Sequence, residues 1–439
     1  MVDFLHLHLD GALCEEVFEE MRSSQRRRVW TLERLAEFWT AVVLRAPASL
    51  TQAVEEAAAG QGARTPHVPA TPQAFFARCQ TLRWEFFHRL FHAFSERALR
   101  DEPPRFLPQH QHLLERFPGV WVVDGSGLDA VAHRLKLLWD DRAVVLPGTL
   151  LAFYDVFHGV ARHLEVHPDA TAYELHRAEQ ALPAVPRGTL VVGDRHYGVP
   201  QFFDALATHG LFGLAQRPGT VAVSLDRRLR RSPTREGTVE EWEVTAGRGP
   251  RARHLRLVRW RKGAKSLDLL TDVLDSERLP AHEALALYRE RWTVERLFYD
   301  LKEVLNLRRF YAANTNAVAM QVYASALVHT ALRVAQGRLA EAARIPPETL
   351  SVAKLFPRLA AASRLYVGAQ YGYLATCAAN PGQNLREPDY RTLPFASTAL
   401  RLLVVRPRRG PRRKRRYCPA RRTWRPLLRS PRRRRKGVD

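Results

Sequence analysis

The sequence has few cysteines and no long apolar run, and both features exclude whole classes of protein. Its four cysteines, Cys14, Cys79, Cys377 and Cys418, are far apart in 439 residues and form no Cys-x-x-Cys pair. This spacing argues against a disulfide framework and against a zinc ribbon, and it fits a reducing compartment. No run of 18 apolar residues is present, and the first residues lack the basic start and apolar core of a signal peptide. We therefore expect a cytoplasmic protein without a membrane-spanning helix.

Acidic residues are almost absent from the end of the chain. Residues 401–439 contain 18 Lys and Arg and a single acid, Asp439, while the whole chain has a formal net charge of +23. Such a segment cannot fold alone, because its like charges repel and it has little apolar surface to bury. A polyanion is its natural partner, and nucleic acid is the commonest one. We predict that residues 401–439 form a disordered polybasic tail that contacts DNA.

The rest of the chain reads as alternating helical and strand-rich regions. Thr71-Pro72 has the pattern of a helix start, and aromatic residues then recur at helical spacing through residues 75–94. Short apolar runs bounded by turn residues predict buried strands further on, at Val120–Val123 and Thr189–Gly193 among others. The predicted regions are helical 1–115, α/β 116–210, strand-rich 211–275, mainly helical 276–330, helical 331–400 and the tail 401–439.

The most informative segment is a helix that carries Tyr288, Arg291, Glu295 and Lys302. At about 100° per residue, their offsets of 0, 3, 7 and 14 place the four side chains within an arc of roughly 60°. A phosphodiester enzyme could use this column, with the carboxylate on a divalent metal and the two cations on phosphate oxygens. The plainer interpretation is an ordinary i,i+4 ion pair on a solvated helix face, with the tyrosine in the core.

Two aspartates strengthen the functional interpretation. Asp124 and Asp194 each follow a short apolar strand, so each should lie at the carboxyl end of a buried strand, where α/β folds place their ligands. Either residue alone would most simply belong to a turn. A small cluster of Asp and Glu oxygens can hold two magnesium ions about 4 Å apart, which suits the cleavage of phosphodiesters.

The order Asp124, Asp194, Glu295, with Tyr-x2-Arg-x3-Glu-x6-Lys around the last acid, resembles the DDE transposases of bacterial insertion sequences. In particular it resembles the IS-four group, whose members carry this YREK signature. The resemblance covers most of residues 115–330. It implies an α/β fold with a ribonuclease-H-like catalytic core, interrupted between the second aspartate and the glutamate by a strand-rich insertion and flanked by helical regions.

The resemblance also implies roles. Asp124, Asp194 and Glu295 would be the catalytic residues and would bind Mg2+ or Mn2+, as two ions, while Tyr288, Arg291 and Lys302 would bind DNA phosphates. The reaction would be metal-dependent cleavage at the transposon ends followed by strand transfer into target DNA. Relatives act as dimers that hold both ends. We expect a homodimer on DNA, end recognition by residues 1–115, and a bacterial, nucleoid-associated location.

One position departs from the family pattern. Some relatives stack a tryptophan on a flipped base, four residues before the threonine of a Leu-Leu-Thr run, and Leu267 stands at that place here. Trp260 and Trp292 are substitutes, although tryptophan is more often a core residue. Two other functions stay open at this point: a transposase-derived DNA-binding protein that no longer cuts, and a structure-selective nuclease or resolvase on the same core.

Overall fold

The structure is a computed structural model and describes residues 1–22, 25–61, 65–128, 148–167, 173–234, 237–312 and 314–361. The predicted tail 401–439 lies outside these residues, as does the larger part of the predicted helical region 331–400. Within the described ranges, no helix combines the length and apolar character needed to cross a membrane.

Helices occupy the first hundred residues, in the order α1 (Val2–His8), α2 (Gly11–Met21), α3 (Leu32–Arg45), α4 (Leu50–Ala58), α5 (Pro72–Thr81) and α6 (Glu85–Leu99). The predicted helix start is confirmed, because the Thr71 hydroxyl accepts the backbone N–H three residues on and Pro72 occupies the first helical position. The aromatic residues at helical spacing in residues 75–94 do not share one helix. The backbone of Leu82 is extended, so the aromatic residues are divided between α5 and α6.

The described strands form one nine-stranded sheet: β1 (Val120–Gly127), β2 (Thr149–Asp155), β3 (Val160–His167), β4 (Leu190–Gly193), β5 (Phe212–Gln216), β6 (Val223–Thr234), β7 (Gly237–Ala246), β8 (Arg253–Lys262) and β9 (Lys265–Thr271). Their spatial order is 3-2-1-4-5-9-8-7-6. Strands β1, β4 and β5 are parallel, and β2 runs antiparallel to both of its neighbours. The order 3-2-1-4-5 with only β2 reversed is a ribonuclease-H-like core.

The strand-rich insertion continues the same sheet. Strands β6 to β9 form an antiparallel meander, and β9 pairs antiparallel with β5 at the edge of the core. Both β5 and β9 therefore have a hydrogen-bonded strand on each side, so β5 is not an exposed edge of the core.

Helices cover both faces of the core sheet: α7 (Glu174–Ala181), α8 (Pro200–Thr208), α9 (Ala281–Glu290), α10 (Thr293–Tyr299), α11 (Thr315–Ala343) and a further helical segment at residues 352–361. Alternate residues of β1 and β4 face opposite sides. Val122 and Val192 pack in the cluster that includes α9, α10 and α11, whereas Trp121 and Val191 pack with α7 and α8. Burial on both faces explains why these strands read as continuous apolar runs.

The helix predicted to carry Tyr288, Arg291, Glu295 and Lys302 is broken into pieces. Helix α9 ends at Glu290, a tight turn follows, and α10 leads into a π-helical turn at Asp300–Val304. In that turn the N–H of Leu305 donates to the carbonyl of Asp300 at 2.9 Å, five residues back instead of four. A regular 100° count therefore does not extend to Lys302.

Candidate active site

Strand register brings Asp124 and Asp194 to matching positions. Val122 of β1 pairs with Val192 of β4 as the last parallel pair of these strands, and each aspartate lies two residues further on. Since adjacent strands are about 4.8 Å apart, the two carboxylates lie at the same end of the sheet. A turn directly after Asp124 is wrong, because β1 continues to Gly127 in its pairing with β2.

Backbone N–H groups orient both aspartates. Oδ1 of Asp124 accepts the N–H of Gly125 at 3.0 Å, and Oδ1 of Asp194 accepts the N–H of His196 at 2.7 Å. The Asp124 side chain is 19% exposed. Asp194 lies in the short turn that leaves β4 and is partly exposed.

Arg291 lies between the acid of β1 and the acid of α10. Its Nη1 is 4.0 Å from Oδ2 of Asp124 and 3.5 Å from Oε1 of Glu295. Glu295 is the more open of the two carboxylates, with 44% of its side chain exposed. The guanidinium is only 11% exposed, and its buried Nε has no hydrogen-bond partner in the described residues. One buried cation thus bridges two of the three predicted metal ligands.

The carboxylates influence one another's ionisation. Burial raises the pKa of Asp124 to about 7, the Glu174 carboxylate adds to this, Arg291 opposes it, and Asp194 raises it further. Burial also raises the pKa of Glu295, where Arg291 again opposes the rise and Asp194 adds to it. The charge of Asp194 therefore raises the pKa of both other predicted ligands, as expected for acids that share one site.

The three acids do not yet form a closed ligand set. Across the described residues, the group of three metal-ligating side chains with ligand atoms all within 4.8 Å consists of histidines, and Asp124, Asp194 and Glu295 do not meet that spacing. Their oxygens are nevertheless hard donors of the kind that Mg2+ and Mn2+ prefer. Mutual repulsion would hold such acids apart until a cation offsets it. The donor chemistry fits a divalent ion, with Arg291 in the space between two of the acids.

The other predicted phosphate contacts face the same end of the sheet but touch different groups. The hydroxyl of Tyr288 donates to Oε1 of Gln216 on β5 at 2.8 Å. Nζ of Lys302 donates to Oγ of Ser126 at 2.8 Å and to the carbonyl of Gly127 at 2.5 Å, both on β1. The predicted column is therefore spread across the ends of β1 and β5.

A fourth carboxylate, Glu174, was missed by sequence reasoning. It begins α7, and its Oε1 accepts a hydrogen bond from the buried hydroxyl of Tyr197 at 2.6 Å. It also lies against the backbone of Gly125, where a Cβ would collide with the carboxylate. Strand β3 is parallel to β1, so an acid soon after β3 reaches the same end of the sheet as Asp124. The position of Glu174 shortly after a predicted strand was the sequence signal that could have identified it.

The two tryptophans considered for base stacking differ in exposure. Trp260 on β8 is partly buried against the core, in line with a packing role. Trp292 is 57% exposed, so a core position for it is wrong. The guanidinium carbon of Arg291 lies 4.8 Å from the centroid of the Trp292 ring. An exposed aromatic face therefore borders the carboxylate site.

Comparison with known proteins gives matches of three kinds. Residues 123–331 match the family model described as "Transposase DDE domain". A curated protein of Sinorhizobium fredii (strain NBRC 101917 / NGR234), named "Putative transposase y4zB", is 37% identical over 68 residues, which span 16% of this chain and 19% of that protein. The chain therefore covers less than a fifth of that relative.

Among solved structures, one match is the cryo-EM structure of a piggyBac transposase synaptic complex with hairpin DNA. It is 11% identical, the match covers 86% of this chain and 84% of that one, and the TM-score is 0.44. Asp124, Asp194 and Glu295 all lie within residues 123–331, the part of the chain that the family model matches.

Proposed function

We propose that this chain is a DDE transposase of the IS-four group that cuts DNA at the ends of its element and transfers the strands to a target. The observation that carries the proposal is the register that aligns Asp124 with Asp194, opposite Glu295 on α10, inside a segment matched by the transposase DDE domain. The signature formed by Tyr288, Arg291, Glu295 and Lys302 supports the narrower assignment to the IS-four group.

Asp124, Asp194 and Glu295 would hold the divalent ions, Mg2+ or Mn2+. When bound, a pair of such ions activates the attacking oxygen and stabilises the leaving oxygen of a phosphodiester. The protein's contribution is to present three oxygen ligands from two strand ends and one helix. Glu174 lies close enough to Asp124 to raise its pKa and adds negative charge to the same end of the sheet.

Arg291 would change partners as the site fills. In the metal-free chain its charge offsets the repulsion between Asp124 and Glu295. A cation among the carboxylates would repel the guanidinium, whose planar fork is suited to a phosphate. Lys302 and Tyr288 would contact phosphates in the same way, in exchange for their hydrogen bonds to β1 and β5.

Trp292 would stack on a nucleobase at the cut end. It is exposed beside Arg291, and a ring in that position offers a face on which a displaced base can lie. A hairpin route of excision would need such a contact. Trp292→Ala should therefore reduce end cleavage more than it reduces the binding of uncut duplex DNA.

Several further features belong to the proposal. The partner is DNA, both transposon ends and target, and the net charge of +23 favours it. Residues 1–115 would bind the terminal repeat, the tail 401–439 would add non-specific affinity, and two copies of the chain would hold the two ends. The protein would work in the bacterial cytoplasm at the nucleoid.

The test uses the purified full chain with duplex DNA that carries the element's terminal repeat. With Mg2+, the wild type should nick beside the repeat. Asp124→Ala, Asp194→Ala and Glu295→Ala should each abolish nicking and keep DNA binding, whereas Asp101→Ala, an exposed acid outside the site, should cut like the wild type.

Two outcomes would replace the proposal. Binding of the repeat without cleavage in Mg2+ or Mn2+ would favour a DNA-binding protein that has lost its chemistry. Cleavage of branched DNA without regard to the end sequence would favour a structure-selective nuclease or resolvase.

A further inference from the structure

Three histidines meet where the N-terminal helices contact the sheet. His88 and His92 lie one turn apart on α6, and His163 lies on β3. One ligand atom from each ring lies within 4.8 Å of the others. The ring centroids are 4.5 Å apart for His88 and His92, and 4.6 Å apart for His92 and His163. None of these residues belongs to the proposed carboxylate site.

The ring nitrogens of His163 differ in their contacts with the described residues. Its Nε2 lies 3.0 Å from Oε1 of Glu165, so Nε2 is the nitrogen that donates to the carboxylate and Nδ1 is the nitrogen left to bind a metal. The residue is 6% exposed, and Nδ1 is buried with no hydrogen-bond partner in the described structure. Leaving a buried polar atom unpaired costs about 1–3 kcal/mol, so the absence of a partner needs a reason.

The two helix histidines are arranged in a compatible way. Nε2 of His92 lies 3.0 Å from Nε2 of His88, and His92 also hydrogen-bonds to the backbone of Arg162. Burial lowers the pKa of both rings, so both are neutral near pH 7, the form that binds metals. Histidines that ligate a metal commonly use their second nitrogen on a backbone carbonyl or a carboxylate, as His92 and His163 do here.

We propose that His88, His92 and His163 form a binding site for a divalent transition metal such as Zn2+. Three imidazoles suit Zn2+, Ni2+ or Cu2+ and not Mg2+, so this site would be chemically distinct from the carboxylates. Zn–N bonds of about 2.0–2.1 Å in a tetrahedron imply ligand nitrogens about 3.3 Å apart, close to the 3.0 Å between His88 and His92. Glu165 would orient the ring of His163 as an outer carboxylate.

The bound metal would fasten the N-terminal helices to the core. Two of its ligands are on α6 and the third is on β3, so the ion would link elements far apart in sequence. The role is structural, because the three rings belong to α6 and β3, two elements that pack against each other.

The test uses the full chain without a polyhistidine tag, stripped with a chelator and dialysed. Wild type should bind one equivalent of Zn2+ by calorimetry, gain thermal stability and keep the ion in excess Mg2+. With Co2+ it should give the intense visible absorption of a tetrahedral nitrogen site. His88→Ala, His92→Ala and His163→Ala should each weaken Zn2+ binding at least tenfold, and Glu165→Gln about tenfold.

Two control variants distinguish this site from Zn2+ binding at surface histidines or at the carboxylates. His176→Ala removes an exposed histidine of α7 and should bind Zn2+ like the wild type. Asp124→Ala should also keep the Zn2+ site, so loss of the proposed nuclease activity would not remove it. No saturable Zn2+ binding by the wild type would overturn the proposal. Equal binding by the three histidine variants, or a weak Co2+ spectrum of the oxygen-ligand type, would do the same.

Discussion

Replacing Asp124 with asparagine should stabilise the metal-free protein while it removes activity. The folded chain keeps the Asp124 proton up to about pH 7, whereas an unfolded aspartate releases it near 3.8. Between these pH values the folded state binds more protons, so the stability contributed by this group is complete below about pH 4 and is lost as the pH rises to about 7. A difference of this size corresponds to about 4 kcal/mol. Asparagine has the same shape and no charge to desolvate.

The assay is urea denaturation of wild type and Asp124→Asn in a chelating buffer at pH 8 and at pH 4. We expect the variant to be more stable by about 3–4 kcal/mol at pH 8, and the two proteins to be nearly equal at pH 4. Saturating Mn2+ should reverse the order at pH 8, because only the wild type gains binding free energy. The control Asp101→Asn, at an exposed position, should leave the free energy of unfolding nearly unchanged at both pH values. A variant that is less stable at pH 8 without metal would refute the reasoning.

Three further predictions concern charged groups other than Asp124, Asp194 and Glu295. Glu174→Gln removes a carboxylate that raises the pKa of Asp124, so the pH midpoint of Mn2+ binding should fall; an unchanged midpoint in calorimetry would place Glu174 outside the site. Lys302→Ala should lower the free energy of unfolding, measured by urea denaturation, by about 1 kcal/mol, and it should weaken DNA binding, measured by filter binding. The control Lys354→Ala, at an exposed position, should change neither quantity. Deletion of residues 401–439 should flatten the salt dependence of DNA affinity, and an equal slope would mean that the tail does not contact DNA.

Strands and their acids were the most predictable part of the molecule. Apolar runs before Asp124 and Asp194 identified β1 and β4, because strands buried on both faces need no alternation. The alignment of the two acids could not be read from the sequence, since it depends on which residues of β1 and β4 pair. The extension of the sheet from β5 to β9 was equally hidden, because a spatial neighbour leaves no local pattern.

Helix breaks and contacts from distant segments were the least predictable. The four signature residues share a face only on a regular helix, and the chain departs from one at the turn that contains Arg291 and at the π-helical turn that contains Lys302. Glu174 follows β3 in the sequence, but its approach to Asp124 depends on β3 lying parallel to β1 in the sheet. His88 and His92 did leave a signal, two histidines one helical turn apart, but the third ligand comes from β3.

The central claim is that Asp124, Asp194 and Glu295 hold divalent cations together. A crystal of the full chain grown with Mn2+ tests it directly through the anomalous scattering of manganese. We predict manganese peaks within about 2.0–2.3 Å of oxygens from all three side chains, with Arg291 moved out from between Asp124 and Glu295. Crystals at saturating Mn2+ with no peak at these carboxylates, and with Arg291 still bridging them, would contradict the account.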